Sequence, residues 1–271
     1  MTLSTTREAP AFLSRSDELD TEYAVYVRAP DASAGPGPWP ALIFLDGDYS
    51  FDGAVKAYQA LREAGAIPPA VVVAVGYGKA FNDPGNRRGR DYTPTAAPEE
   101  PTSGGADRFL AHLTGPLWTE LARRYPLHQE SSVIAGHSLS SLLVLHALFQ
   151  PRPFFHRVLA GAPSIWWDNR SFLALMKRFR DQQATLPAQL FLGVGTDETT
   201  SMLGDLALME KQLAERPFEG LQITSVKFPD RDHYNVMPDL FSAGLRAFFT
   251  STNSDADFNH KGAKNAKINP K

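Results

Sequence analysis

Ser138 stands in Gly136-His137-Ser138-Leu139-Ser140, between the apolar run Ser132 to Ala135 and the apolar-periodic stretch Leu139 to Phe149. A strand that turns sharply into a helix can hold a serine in a strained conformation, with its hydroxyl at the carboxyl edge of the sheet and the next backbone N–H beside it. The segment therefore reads as a nucleophile elbow, with Ser138 as the attacking group. Such a turn crowds the strand against the helix and favours tiny side chains at both flanks. Gly136 meets that demand fully and Ser140 approximately, so the match to G-x-S-x-G is imperfect. A serine that merely caps a helix is the bland alternative.

A serine hydroxyl needs a base, and the chain has seven histidines. His137 adjoins the serine and is expected to point away from it. His112 and His146 fall on helical patterns, as core or surface residues, while His128, His156 and His260 lie in or near turns with no motif around them. His233 differs, because it follows the strand pattern Leu221 to Phe228 and the turn Pro229-Asp230-Arg231-Asp232, and precedes the last helix. That is where the chain order Ser, acid, His places its base; the plain alternative is a solvated loop histidine. The acid should follow the strand Ala188 to Val194, where Gly195-Thr196-Asp197-Glu198 offers two adjacent carboxylates. Both cannot face His233. Glu198 is preferred because the turn must first leave the strand, with Asp197 as the alternative; either could instead be a first-turn acid of the helix near Ser201.

Negative charge that develops on the substrate needs two N–H donors. One is expected from Leu139, directly after the nucleophile. The second is expected in Asp46-Gly47-Asp48-Tyr49, after the strand Ala41 to Leu45, where Gly47 lets the backbone approach substrate and Tyr49 stands beside it. Asp46, Asp48 and Asp52 do not make a calcium loop, since the glycine at the sixth position and the glutamate at the twelfth are missing. Gly76-Tyr77-Gly78-Lys79 lacks P-loop spacing. Two further groups are candidate substrate contacts. Arg88 and Arg90, with Arg87, cluster in a long loop, and Trp166 and Trp167 follow the strand Arg157 to Gly161; guanidinium and aromatic faces together suit anionic, aromatic acyl groups.

The elements that must position these residues follow from periodicity. Strands are expected at Glu22 to Arg28, Ala41 to Leu45, Ala70 to Val75, Ser132 to Ala135, Arg157 to Gly161, Ala188 to Val194 and Leu221 to Phe228, after an initial meander. Helices are expected at about Gly53 to Ala64, Ala106 to Tyr125 with a break at Pro116, Leu139 to Phe149, Ser171 to Gln182, Ser201 to Glu215 and Pro238 to Phe249. This alternation is the βαβ signature of a mostly parallel sheet covered on both faces, whose ligands bind at the carboxyl ends of the strands. Gly76 to Gly105, with four prolines and six glycines, breaks the rhythm and is expected to form a wall of the site. One domain is expected over residues 11–252, and 253–271 as a disordered polar tail or an appended stretch.

Composition narrows the classes. The 271 residues are 43% hydrophobic, enough for a large core without staples, and the absence of cysteine excludes disulfides and a thiol nucleophile. A net charge of −3 provides no basic field for nucleic acid. No apolar run is long enough to span a bilayer and Met1 to Pro10 has no leader pattern, so the expectation is a chain free of membrane and unexported, hence cytoplasmic, or periplasmic or secreted if a leader has been removed. No cofactor and no metal are expected, a small-molecule ester is the expected partner, and oligomeric state is not specified.

These residues together resemble the putative esterase family of α/β-hydrolases, which includes ferric-enterobactin esterases, feruloyl esterases and, more distantly, mycolyltransferases. The resemblance spans roughly Tyr23 to Phe249. It is carried by Ile43-Phe44-Leu45-Asp46-Gly47-Asp48, Arg90-Asp91-Tyr92-Thr93-Pro94-Thr95, Gly104-Gly105-Ala106-Asp107-Arg108-Phe109-Leu110, the elbow, Pro163-Ser164-Ile165-Trp166-Trp167-Asp168 and the His233 loop. It implies an α/β-hydrolase fold and a metal-independent esterase working through an acyl-enzyme. In that reading Ser138 is the nucleophile, His233 the base, the carboxylate after Gly195-Thr196 the orienting acid, and the N–H groups of Leu139 and Asp48 the oxyanion hole. The RDYTPT and PSIWWD segments resemble the siderophore-esterase branch, which implies siderophore-like or aromatic esters; an acyltransferase or a general small-ester esterase is the alternative. Where the family usually has glycines, this chain has Ser140 and Ser141.

Overall fold

Ala41 to Leu45 carries no polar side chain, and in the computed structural model every one of these residues is buried. The structure describes the backbone of residues 8–262 and the side chains of residues 8–250. In chain order the elements are β1 (Phe12–Ser16), β2 (Thr21–Arg28), β3 (Ala41–Leu45), α1 (Gly47–Glu63), β4 (Val71–Gly76), the single turn α2 (Arg88–Asp91), α3 (Ala106–His112), α4 (Trp118–Arg124), β5 (Val133–His137), α5 (Ser140–Leu148), β6 (Arg157–Gly161), α6 (Trp167–Gln182), β7 (Thr185–Gly195), α7 (Thr200–Glu215), β8 (Glu219–Phe228) and α8 (Met237–Gly262).

The strands form one eight-stranded sheet in the order β1-β2-β4-β3-β5-β6-β7-β8. Pairing is antiparallel from β1 through β2 to β4 and parallel from β4 onward. This is the α/β-hydrolase arrangement, a mostly parallel sheet with helices on both faces. Successive side chains of a strand point to opposite faces, so a strand covered on both sides must be apolar throughout. Ile43, Val73 and Ile134 accordingly pack on one face with Leu142, Leu145 and Phe109. Leu42, Phe44 and Val72 pack on the other with Phe51, Leu61, Phe241 and Leu245.

Three differences from the expected elements have local causes. β1 lies within the segment taken as a meander; it is a five-residue edge strand whose exposure alternates, too short for its pattern to stand out. At α6 the assigned helix begins at Trp167, but Asp168, Asn169 and Arg170 have φ of 43°, 52° and 63°, so regular helix starts at Ser171, where the apolar pattern starts. At the carboxyl end, α8 continues to Gly262, past the expected boundary at 252. Its apolar stripe (Leu240, Phe241, Leu245, Phe248, Phe249) ends where the pattern ends, and a helix once nucleated propagates without needing an apolar face. The rest of the expected tail, 263–271, lies outside the described residues. Between α3 and α4, Leu113–Leu117 winds as a π-helical turn around Pro116, which lacks the N–H that a regular helix would use there.

Candidate active site

Ser138 sits at the turn between β5 and α5 with φ +60°, a conformation that costs a non-glycine residue free energy and so persists only where neighbours enforce it. Here they do. The Ser138 N–H donates to Gly161 O on β6 (2.8 Å), and Ser138 O accepts from the N–H groups of Ser141 (3.1 Å) and Ser164 (3.3 Å). A Cβ on Gly136 would lie 2.5 Å from the Ser140 carbonyl oxygen, so the first glycine of the elbow is a steric requirement. The serines at the other flank staple the turn. Ser140 Oγ accepts from the His137 N–H (3.0 Å) and donates to the His137 carbonyl (2.9 Å), and Ser141 Oγ donates to Gly161 O (2.6 Å). Both are fully buried.

His233 follows β8, and its Nδ1 is hydrogen-bonded to Glu198 Oε2. The other Glu198 oxygen accepts the Thr199 N–H at 2.8 Å, so the carboxylate is buried yet held at both ends. Asp197 is exposed, with its N–H on Arg231 O (2.9 Å). Gly195, at the end of β7, permits this arrangement, since a Cβ there would meet Arg231 O at 2.0 Å. Ser138 and His233 line one cavity. Among the described residues no hydrogen bond joins the Ser138 hydroxyl to the ring; in unliganded sites that contact often tightens only with substrate.

His137 does not point away as expected. Its ring lies 4.7 Å from that of His233 and borders the same cavity. Burial, reinforced by the neighbouring His233, pushes its pKa down to about 3, which makes it too weak a base at neutral pH. Among the remaining histidines, His146 pairs with Asp107 (2.6 Å), His112 with Ser14 (3.1 Å) and His128 with Ser131 (2.8 Å), none at the cavity.

At the end of β3 the chain turns through Asp46, with φ +54°, into α1. The Asp46 carbonyl takes the N–H groups of Tyr49 (2.9 Å) and Ser50 (3.0 Å), while the Asp48 N–H belongs to the first turn, which has no acceptor within the helix. The Asp48 carboxylate faces the other way. It accepts from the Tyr26 hydroxyl (2.6 Å) and from the N–H groups of Tyr77 (2.7 Å) and Gly78 (2.8 Å), tying α1 to the end of β4. Gly47 contacts β4 rather than the cavity, since a Cβ there would fall 2.9 Å from the Ala74 and Val75 backbone. Arg88 grips Asp46 with two hydrogen bonds, Nε to Oδ1 at 2.9 Å and Nη2 to Oδ2 at 3.0 Å. Burial opposes the Arg88 charge, but the Asp46 carboxylate outweighs it and keeps the guanidinium protonated well above its ordinary range.

The cavity is about 560 Å³. Tyr49 and Arg88 line it, with Phe81 between them: the Tyr49 and Phe81 rings are 3.9 Å apart and Arg88 lies 4.6 Å over Phe81. The long loop after β4 thus supplies one wall through Ala80, Phe81, Asn82 and Arg88, and Tyr234, Met237 and Phe241 supply another. Arg90, Trp166 and Trp167 are not at the cavity. Arg90 is bound to Asp91, Leu19 O and Thr21; Trp167 donates to Thr95 O (3.0 Å); Trp166 is exposed. The RDYTPT segment instead packs beneath the turn from β3 into α1. Buried Asp91 accepts from the Tyr23 and Tyr77 hydroxyls (2.9 Å each), and the Tyr92 hydroxyl accepts the Asp46 N–H (3.2 Å). Phe81, Met237 and Phe241 carried no chemical signal in the sequence, although the long loop had marked the place of the first.

A family model described as "Putative esterase" matches residues 16–218, most of the chain. The chain belongs to this esterase family. By that membership it is a carboxylic ester hydrolase. This esterase is 30% identical over 243 residues to the ferri-bacillibactin esterase BesA of Bacillus subtilis, which covers 83% of each chain. It is 33% identical over 190 residues to the siderophore triacetylfusarinine C esterase of Aspergillus fumigatus, 64% of each. Among solved structures, the BES protein from Bacillus cereus superposes with a TM-score of 0.80 at 24% identity, over 92% of this esterase and 99% of that chain, a likeness of fold. No helix among the described residues is long and apolar enough to cross a membrane.

Proposed function

We propose that the chain hydrolyses esters of siderophore type through an acyl-enzyme on Ser138. The observation that carries this reading is the Glu198 contact with His233 Nδ1, made at the cavity that also holds the strained serine. With Nδ1–H committed to Glu198, Nε2 of the ring is left as the basic nitrogen. His233 removes the Ser138 proton as Oγ attacks the ester carbonyl, and buried Glu198 stabilises the imidazolium that forms. The N–H groups of Leu139 and Asp48 receive the oxyanion. Collapse expels the alcohol, which takes its proton from His233, and water then repeats the sequence on the acyl-enzyme. Each proton removed is returned, so the cycle ends with Ser138, His233 and Glu198 in the protonation states they began with. The siderophore assignment is supported by the activities named for BesA and the Aspergillus fumigatus enzyme.

A fluorophosphonate followed by peptide mass spectrometry tests the nucleophile. Label on Ser138, prevented by Ser138→Ala together with a fall in kcat on the order of 10⁴ or more, is expected. Label elsewhere, or a Ser138→Ala variant that turns over normally, refutes the assignment. A parallel assay on a ferric trilactone siderophore and on p-nitrophenyl butyrate tests the substrate class; preference for the small ester by kcat/KM would favour a general esterase.

A further inference from the structure

The segment after β6 is tied to the nucleophile and then strained. The Ser164 N–H donates to Ser138 O, and the Trp167 N–H closes a turn on Ser164 O at 3.1 Å. Asp168, Asn169 and Arg170 follow, three consecutive non-glycine residues in the left-handed region. Trp166 has helical angles, φ −59° and ψ −20°, so a right-handed helix begun there could have run straight into α6. The chain rejects that cheaper path. Left-handed geometry crowds Cβ against the following carbonyl, and a run of it persists only where the surroundings enforce it.

Two neighbours enforce it. Trp167 is buried with its indole N–H on Thr95 O (3.0 Å), and Ser171 Oγ is bonded to Thr95 Oγ1 (2.8 Å), so the long loop grips the turn at both ends. Arg170 Nε donates to Asp205 Oδ1 on α7 at 2.5 Å. Asp205 is buried and its Oδ2 has no hydrogen-bond partner among the described residues, so a half-satisfied carboxylate is kept where it holds Arg170. What the reversed turn leaves outside is Trp166, 47% exposed although the next residue is buried. Ile165, Trp167 and Phe172 pack with α5 on one face of the sheet, whereas the cavity walls Met237 and Phe241 belong with α8 on the other. Ser138 therefore has the cavity on one side and the Ser164 to Trp166 segment on the other.

An ester attacked at Ser138 has two halves. The acyl half stays through the acyl-enzyme, and the alcohol half must leave before water enters. The apolar cavity suits the half that stays, and the open side suits the half that leaves. We propose that Trp166 is a substrate contact for the alcohol half, its indole face receiving a planar aromatic group, and that the left-handed turn and Asp205 are positioning residues that hold the indole there. This rests on the acyl-enzyme reading at Ser138 and not on the siderophore class.

Two butyrate esters test it with the full chain, ethyl butyrate and 2-naphthylmethyl butyrate. Both form the same butyryl-enzyme and both expel a simple alkoxide, so kcat/KM isolates what the alcohol half contacts. Trp166→Ala should lower kcat/KM for the naphthylmethyl ester about 3–10-fold and leave ethyl butyrate within twofold, and Trp166→Phe should restore most of the loss. Asn169 is exposed, so Asn169→Val strains the turn without touching the core, because a β-branched residue resists the left-handed region. It should reproduce the selective loss, while Asn169→Gly should match the wild type. Unchanged turnover of ethyl butyrate shows that each variant is folded. Equal losses on both esters, no loss on either with Trp166→Ala, or a wild-type preference retained in Asn169→Val would each overturn the proposal. A ferric trilactone that is a poor substrate would remove the siderophore reading and leave this one standing; turnover of the butyrates that survives Ser138→Ala would remove both the acyl-enzyme reading and this proposal.

Discussion

Glu198 and Asp197 test how far neighbouring carboxylates can differ. The first is buried with both oxygens occupied by His233 and the Thr199 N–H; the second is exposed. Glu198→Gln is therefore expected to lower kcat by about 10³–10⁴, since only the acid at Nδ1 sets the tautomer, and Asp197→Asn to leave it within a few-fold. The reverse ranking in steady-state kinetics would move the role to Asp197. His137 makes a prediction about stability. Its pKa in the fold is about 3, against 6.5 for a free histidine, so the unfolded chain takes up a proton there before the native one does. The neutral ring costs nothing above pH 6.5; stability is lost as pH falls from 6.5 toward 3, by roughly 3 kcal/mol at pH 4 from this group alone. Denaturant titrations should show a flatter acid limb for His137→Phe, and an identical limb would mean that His137 is protonated in the native state.

The β5–α5 elbow and the turn from β3 into α1 are small elements held from several sides. Gly136→Ala, whose Cβ would press on the Ser140 carbonyl at 2.5 Å, is expected to cost about 3 kcal/mol and to depress kcat with it; a thermal melt unchanged from wild type would show that the elbow can widen. Arg88 acts on the turn through Asp46. Arg88→Gln should lower kcat by about 10–100-fold on neutral and anionic esters alike, because it releases the residue that starts α1 and its first N–H groups. A rise in KM confined to the anionic ester would make Arg88 a substrate contact instead. These contrasts also mark what the sequence could disclose. The strands β3 to β6 are legible because a sheet covered on both faces demands unbroken apolar runs, and the residues that the structure gathers at one cavity, Ser138 and His233 with Glu198 behind, because each stands just after a strand pattern. Arg90 and Trp167 looked equally suited to substrate, but whether an arginine meets solvent or Asp91 depends on long-range packing that local pattern does not record. Phe81 was illegible for the converse reason, since an aromatic ring in a loop has no period to mark its side.

Across the whole molecule, the sheet is most secure at its centre. β3 and β4 are buried at every residue, whereas β8 is exposed along most of its length. Native-state hydrogen exchange at low protein concentration is expected to show β3 and β4 amides opening only with global unfolding and β8 amides exchanging faster by at least about tenfold. Uniform protection would show that β8 is part of the same cooperative unit. Strand order also has a consequence in time. Ser138 lies at the end of β5, Glu198 after β7 and His233 after β8, so a chain emerging from the ribosome makes three more strands after Ser138 before it gains His233, the base of the proposed mechanism. Polypeptides ending before Pro229 should be inert to fluorophosphonate even where the elbow has formed, and the cell would never hold a half-made enzyme able to acylate itself.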